Sequence, residues 1–274
     1  MKFLSFNILT SHPRNEKQQS IFEKDIKADC WQERKKLIFR EIIKCDVAVL
    51  VETTHLQYKS IIDFLNKKGR KFKGRLKLKK NCTDGTAIIY NSEIFIEIGN
   101  FSEYLHEKYG TQILLSLVLY DLNKDKEIVI SGLHLKSGYK DMEDRRNKEI
   151  LKAVELINKW LSYNSRTGIS QIIAGDFNSE HEKSPSSNYF SKVNDILKNN
   201  FDYKNTFEDY ENHNLGHKYY PFITYNYYHS SIFDYIYTKR LKSSDLHIDK
   251  IDTIIPNSYH GSDHLPILCN LEFN

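Results

Sequence analysis

Apolar residues along this chain recur with two different periods, and each change of period marks a new element. Residues 47–51, Val-Ala-Val-Leu-Val, form an unbroken apolar run and predict a strand buried on both faces. Residues 171–174 read the same way. Segments 2–9, 85–91, 94–99, 112–120 and 127–135 are β-branched and apolar with turn residues between them, and predict further strands. Residues 123–126 predict a hairpin turn. Helical spacing governs 31–44, through Leu37, Ile38, Ile42 and Ile43, and 142–163, through Ile150, Val154, Ile157 and Leu161. Two more helices are expected at 57–67, ending near Gly69, and at 185–197. Strands at 232–237, 248–254 and 265–271 close the chain. There is no internal repeat and no low-complexity linker. Strand–helix alternation with hairpins predicts α/β architecture, preferably two stacked mixed sheets with helices outside, in one domain over residues 1–274. A doubly wound single sheet fits composition equally well.

Composition narrows the class. A chain of 274 residues with 40% hydrophobic residues can bury a sizeable core. The net charge of +4 is compatible with an anionic substrate and no more than that. Four cysteines, Cys30, Cys45, Cys82 and Cys269, share no CxxC spacing, which argues against a disulfide framework or a structural zinc site and favours a reducing compartment. The first apolar stretch is interrupted by Ser5 and Asn7, so it reads as a strand and not as a signal peptide. No run approaches the roughly 18 apolar residues of a membrane span. The expectation is a soluble, intracellular, cytoplasmic monomer with no membrane association.

The acidic and imidazole residues change the picture, because they fall just past apolar strands. The 47–51 run ends in Glu52, the 129–133 run in His134, and Ile172-Ile173-Ala174-Gly175 in Asp176-Phe177-Asn178. Asn7 lies near the end of the first strand. Strand ends are rigid and open into clefts, where a preorganised site belongs. Gly175 lets backbone approach, and Asp176 and Asn178 share one face of an extended segment. A strand followed by an Asx turn is the bland alternative. Phe233-Asp234-Tyr235 sets a carboxylate in an apolar, aromatic strand, where it needs a partner. The Asp263-His264 pair before the last strand offers one, and such a pair fixes the tautomer and raises imidazole basicity.

Together, the segments FNIL, VETT, GLHLKSG, GDFN, FDYIY and GSDHLP resemble, in order and context, those of the endonuclease/exonuclease/phosphatase superfamily. The resemblance spans nearly the whole chain and implies the DNase I-like fold, a four-layer α/β sandwich with the site at one edge of the paired sheets. It implies that Glu52 is the principal ligand of Mg²⁺ (or Mn²⁺), with Asn7 and Asp263 completing that site. It implies that His134 holds the scissile phosphate, that Asp176 orients or deprotonates water with Asn178 beside it, and that Asp234 pairs with His264. Hard cations take such oxygen ligands.

Trp31-Gln32-Glu33-Arg34-Lys35, Asp84-Gly85-Thr86-Ala87, His134-Leu135-Lys136 with Arg145-Arg146, and Phe222-Ile223-Thr224-Tyr225 resemble the deadenylase, nocturnin and 2′-phosphodiesterase branch. That implies phosphate contact by Lys136 and adenine recognition by Asn178 and Phe222. Val51, Gly132 and Leu133 depart from the branch pattern. Ser137 and Gly138 stand where nocturnin-type proteins have an Arg, which counts against a nicotinamide-dinucleotide 2′-phosphatase. Residues 67–80 are densely basic. They read either as a rail for a nucleic-acid backbone or as an edge strand whose lysines deter aggregation, with Phe72, Leu76 and Leu78 inward. The expected activity is Mg²⁺-dependent hydrolysis of RNA, as a 3′-to-5′ exoribonuclease preferring adenylate (poly(A) or 2′-5′-linked). Nucleic acid is the partner, RNA ahead of DNA. A DNA endonuclease, a small-molecule phosphatase and a catalytically dead binding module are the alternatives.

Overall fold

Strand β1 (Lys2–Asn7) lies parallel to β2 (Val47–Thr54), and this pair is the centre of a six-stranded sheet. The computed structural model of the chain describes residues 1–10, 30–106, 111–138, 140–181, 184, 192–208, 223–226, 230–251, 253 and 255–274. On one side of the pair, β4 (Asp84–Asn91) and then β3 (Phe72–Leu78) add antiparallel; on the other, β14 (Ile267–Phe273) and then β13 (Leu241–His247) do so. A second sheet has the order β5 (Phe95–Tyr104), β6 (Ile113–Asp121), β7 (Lys126–His134), β8 (Ser170–Asp176), β12 (Asp234–Lys239) and β9 (Lys204–Asn205). Here β7 and β8 are the parallel pair. A two-stranded ribbon joins β10 (Tyr225–Asn226) to β11 (Ser230–Ser231). Two stacked mixed sheets flanked by helices are therefore present, in the expected four layers.

The period of two decides which residues enter which layer. In β2, Val47, Val49 and Val51 point to the other sheet and join a core with Ile88, Leu117, Ile130 and Ile172. Ala48 and Leu50 point outward and meet helices α1 (Trp31–Ile42) and α2 (His55–Lys67) through Ile38, Ile42, Ile61 and Leu65. Thr54 caps α2 in a reciprocal arrangement with Gln57, so that helix starts as β2 ends. Helix α3 (Glu143–Tyr163) covers the far face of the second sheet with Ile150, Val154, Ile157 and Leu161, the stripe its spacing predicts. All four cysteines are free. Among the described residues no helix is long and apolar enough to cross a membrane.

Several expected elements shift. The expected strand at 248–254 does not form over its described residues; its place as the outer strand is taken by β13. That segment, Leu-Lys-Ser-Ser-Asp-Leu-His, is polar because it is an exposed edge, so it carries no apolar signal. The strand expected at 232–237 begins at Asp234 and runs to Lys239. Of the helix expected at 185–197, residues 185–191 lie outside the described residues, and the remainder is a short helical turn at Val193–Asp195 leading into Ile196–Asn200. The basic stretch holds the terminal strand β3, with Phe72 buried and Leu76 and Leu78 partly so.

The two sheets approach closely beside the site, and Gly132 permits it. A Cβ there would lie 2.7 Å from Thr86 Cγ2 and 3.0 Å from Val49 Cγ1, both β-branched and held in facing strands. Gly132→Ala should therefore cost about 1–3 kcal/mol by overpacking. Urea unfolding should show a lower midpoint with unchanged slope; an unchanged midpoint would refute the close approach.

Candidate active site

Three side chains come from a single row across the second sheet. His134 is the last residue of β7, Asp176 the last of β8 and Asp234 the first of β12, and they stand opposite one another in register, His134 to Asp176 and Asp176 to Asp234. Directly opposed residues point to the same face, so the register brings one imidazole and two carboxylates together. All three are buried. Gly175 makes the register possible: its φ is +139°, and a Cβ would lie 1.9 Å from the Leu133 carbonyl oxygen.

The first sheet supplies the facing wall. Asn7 ends β1 and is buried, and its Nδ2 donates to Asp176 Oδ2 at 3.0 Å and to Glu52 Oε1 at 3.3 Å. Glu52 sits at a break in the β2–β4 register between Val51 and Thr53, with φ at +55°. A bulge with a non-glycine residue in the left-handed region is an uncommon, costly arrangement that re-aims one side chain. Here it turns the Glu52 carboxylate to the cleft, where Oε2 accepts from the Thr10 N–H at 3.2 Å.

His264 completes the cluster from the loop before β14. Its Nδ1 lies 2.7 Å from Asp234 Oδ2, and its Nε2 lies 3.7 Å from Asp176 Oδ2, the same distance at which His134 Nε2 approaches that oxygen. Asp263, also buried, adds a fourth carboxylate, and Ser262 Oγ links this loop to β1 by donating to the Asn7 carbonyl at 2.7 Å. Asn178 stands beside Asp176: its N–H donates to Asp176 Oδ1 at 2.8 Å and its Nδ2 to the Leu135 carbonyl at 3.1 Å. Its φ of +50° suits asparagine. Lys136 follows on the next loop, its main chain held by Glu149 and Arg146, and its ammonium has no ion-pair partner among the described residues. Phe222 lies outside the described residues.

Charges in this cluster push one another apart. Burial alone would lift the Glu52 carboxyl, but His134, Lys79 and His264 around it hold it well below the usual carboxylate range. Burial raises Asp176, Asp234 adds to the rise, and the two imidazoles only partly offset it. His134 is lowered by burial and then by Lys79. His264 goes the other way: burial opposes its charge, yet Asp234, Asp176 and Asp263 raise it to about 10. Four carboxylates against so few cations suit a hard divalent ion. Asp176, Asp234 and His264 bring one ligand atom each within 4.8 Å of one another, a spacing consistent with a divalent-metal site. Asp234 Oδ1 is buried without a hydrogen-bond partner among the described residues, a further acceptor left open.

Three neighbours of the cluster stood in the sequence only as members of longer segments, with no role of their own. Lys79, from the basic stretch, pairs with Asp84 at 2.5 Å and sends its field onto Glu52 and His134. Tyr225 packs its ring on His264, with centroids 4.9 Å apart. Arg34 is fully buried beneath the loops; its signal was a charge at the inward position of the stripe Arg34-Ile38-Ile42. Of the other eight cations in the stretch, Arg70 pairs with Asp46, Lys71 with Glu93 and Arg75 with Glu97, and Lys68 and Lys77 lie over the Phe64 and Tyr104 rings. The edge-strand reading of 67–80 is the one this pairing matches.

No family model matches the sequence, and no curated protein matches it either. Solved structures do resemble the fold. The human nocturnin catalytic domain, solved with bound sulfate, is 20% identical, with 100% of this chain and 94% of that chain covered at a TM-score of 0.74. ANGEL2, a 2′,3′-cyclic phosphatase solved with adenosine-2′,3′-vanadate, is 18% identical over 98% of this chain and 94% of its own, at 0.77. A mannosyl-6-phosphatase from Bacteroides thetaiotaomicron is 16% identical over the whole of both chains, at 0.69. These likenesses show that the chain has the endonuclease/exonuclease/phosphatase, DNase I-like fold.

The opposed histidine shifts give a direct test. In metal-free protein the His264 imidazole should stay doubly protonated through neutral pH and titrate near 10, while His134 should lose its proton below 6.5. Because the folded value of His264 lies above its ordinary 6.5, its stabilisation is fully present below that pH and is lost as pH rises through about 10. Imidazole ¹⁵N shifts followed against pH would report this; a His264 midpoint near 6.5 would contradict it.

Proposed function

We propose that this chain, built on the endonuclease/exonuclease/phosphatase fold, is a metal-dependent phosphoester hydrolase that acts on RNA, removing nucleotides 3′-to-5′ with a preference for adenylate. The observation that carries the reading is Asp176: a buried carboxylate fixed by Asn7 and Asn178, with two imidazoles at 3.7 Å. A carboxyl raised by burial is a better base near neutral pH than a free one. Asp176 is assigned to orient and deprotonate the attacking water.

Glu52, Asn7 and Asp263 are assigned to hold Mg²⁺ or Mn²⁺. His264 engages Asp234 Oδ2 at 2.7 Å, which leaves Asp234 Oδ1 as a further oxygen beside those ligands. When bound, the metal neutralises phosphate charge and acts as a Lewis acid. His264, kept protonated by Asp234, offers an Nε2 proton to a phosphate oxygen. His134 donates from the opposite side of Asp176. Lys136 and Asn178 take the neighbouring phosphate or base, and Phe222 is assigned to stack on it.

A second reading, hydrolysis of a small phosphoester or of a 2′,3′-cyclic phosphate, is favoured by one observation. Four of the nine cations in residues 67–80, Arg70, Lys71, Arg75 and Lys79, are ion-paired internally, which shortens the track open to a long polyanion. The ANGEL2 and mannosyl-6-phosphatase structures bear on the same choice.

Purified protein should cleave oligo(A) or 2′-5′-linked oligoadenylate with Mg²⁺ and lose that activity with EDTA. Cleavage confined to 2′,3′-cyclic phosphate ends, sugar phosphates or abasic DNA would replace the substrate assignment. Glu52→Gln and Asp176→Asn should each lower turnover about 100- to 1,000-fold with folding intact by circular dichroism. Full activity in both would remove the site assignment.

A further inference from the structure

The two walls of the cleft come from opposite ends of the sequence, and neither is held by strand pairing alone where it matters. After Asn7 the chain leaves β1, and Leu9 turns with φ at +57°. The opposite loop, residues 257–264, carries Asp263 and His264. Between them lies Arg34 of α1, fully buried. Its Nη1 donates to the Ile8 carbonyl at 2.9 Å and to the Gly261 carbonyl at 2.7 Å; its Nη2 donates to the Leu9 carbonyl at 2.7 Å. Gln57 of α2 also donates to the Leu9 carbonyl, at 3.1 Å. Ser262 extends the seam, with Oγ donating to the Asn7 carbonyl at 2.7 Å and accepting from the His264 N–H at 3.3 Å.

The geometry points to Arg34 as a positioning residue that sets the separation between the Asn7–Glu52 wall and the Asp263–His264 wall. A buried guanidinium is costly unless it is hydrogen-bonded, and the three bonds from Nη1 and Nη2 to carbonyls on both walls hold only near one spacing. The Thr10 N–H that meets Glu52 lies one residue past Leu9, so the same tether also sets how Glu52 is held. Lysine lacks the planar fork and cannot serve two directions at once in the same way. This inference rests on the phosphoesterase reading for its kinetic arm, on the metal assignment within that reading for its Mn²⁺ arm, and on the fold alone for amide exchange.

The test uses the full chain with Arg34→Lys, Arg34→Met, Ser262→Ala and Gly261→Ala. The last leaves the charge in place and instead pushes the loop off α1, since its Cβ would lie 2.9 Å from the Arg34 carbonyl oxygen. In folded variants, turnover should fall about 100-fold for the Arg34 changes with KM within about threefold, because misplacement far from the chemistry acts on geometry. Mn²⁺ affinity, measured calorimetrically, should weaken about 10-fold or more. Amide exchange should quicken at Thr10 and at 261–264, while β2 and β4 keep wild-type protection. If the Arg34 variants do not fold, Ser262→Ala and Gly261→Ala decide through the same three readouts. Wild-type exchange and Mn²⁺ affinity in the folded variants would overturn the proposal. A wild type that binds Mn²⁺ but cleaves no phosphoester overturns the phosphoesterase reading instead, and the exchange and affinity changes would still stand.

Discussion

With Ile128 opposite Ser170, the parallel ladder between β7 and β8 runs six steps further and ends with His134 opposite Asp176. The antiparallel ladder on the other side of β8 then starts with Asp234 opposite the same Asp176. A slip of one residue in either ladder would turn those side chains to the face covered by α3. The register is fixed by the apolar residues behind it, Ile130, Ile172 and Ile236, and by the Gly175 contact that no other residue could make. The chemistry of the cleft thus depends on hydrophobic packing that never touches a substrate. Gly132 extends the dependence to the second dimension, because it sets how near the two sheets lie beside that row.

Once those positions are fixed, electrostatics separates the roles of otherwise similar groups. Asp234, Asp176 and Asp263 raise His264 to about 10, whereas burial and then Lys79 lower His134. Asp176 is deep and flanked by Asp234, so its carboxyl rises, whereas Glu52 faces cations and falls. Two titratable pairs whose environments drive them apart are the usual basis for dividing acid and base work. The division comes from position in the two walls, since the residue types are the same.

Much of this was legible in the sequence because strand periodicity and the punctuating polar residue are local signals. Glu52, His134, Asp176 and Asp234 each announce themselves as a charge at the edge of an apolar run. Other features were not local. β13 has no apolar face to advertise, and the isoleucines of 248–254 advertise a strand that the described residues do not form. Arg34 stood in the sequence only as part of the Trp31–Lys35 segment; the phase it shares with Ile38 and Ile42 is what marks it as facing inward. The fate of the basic stretch depended on Asp46, Glu93, Glu97 and Tyr104, which no spacing within residues 67–80 could reveal.

That last point bears on what the cleft can hold. The field of a cation already paired at 3 Å is largely spent on its partner, so a backbone phosphate arriving beside Arg75 or Lys71 would have to compete with Glu97 or Glu93. Lys136 meets no such competition among the described residues, and it stands two residues past the row. On our reading, attraction for phosphate is strongest at the mouth of the site, beside Lys136. Under the proposed function, a cleft arranged in this way binds chiefly the ester being cut and its immediate neighbour. On our reading it engages the end of a chain, and the length of RNA behind that end contributes little.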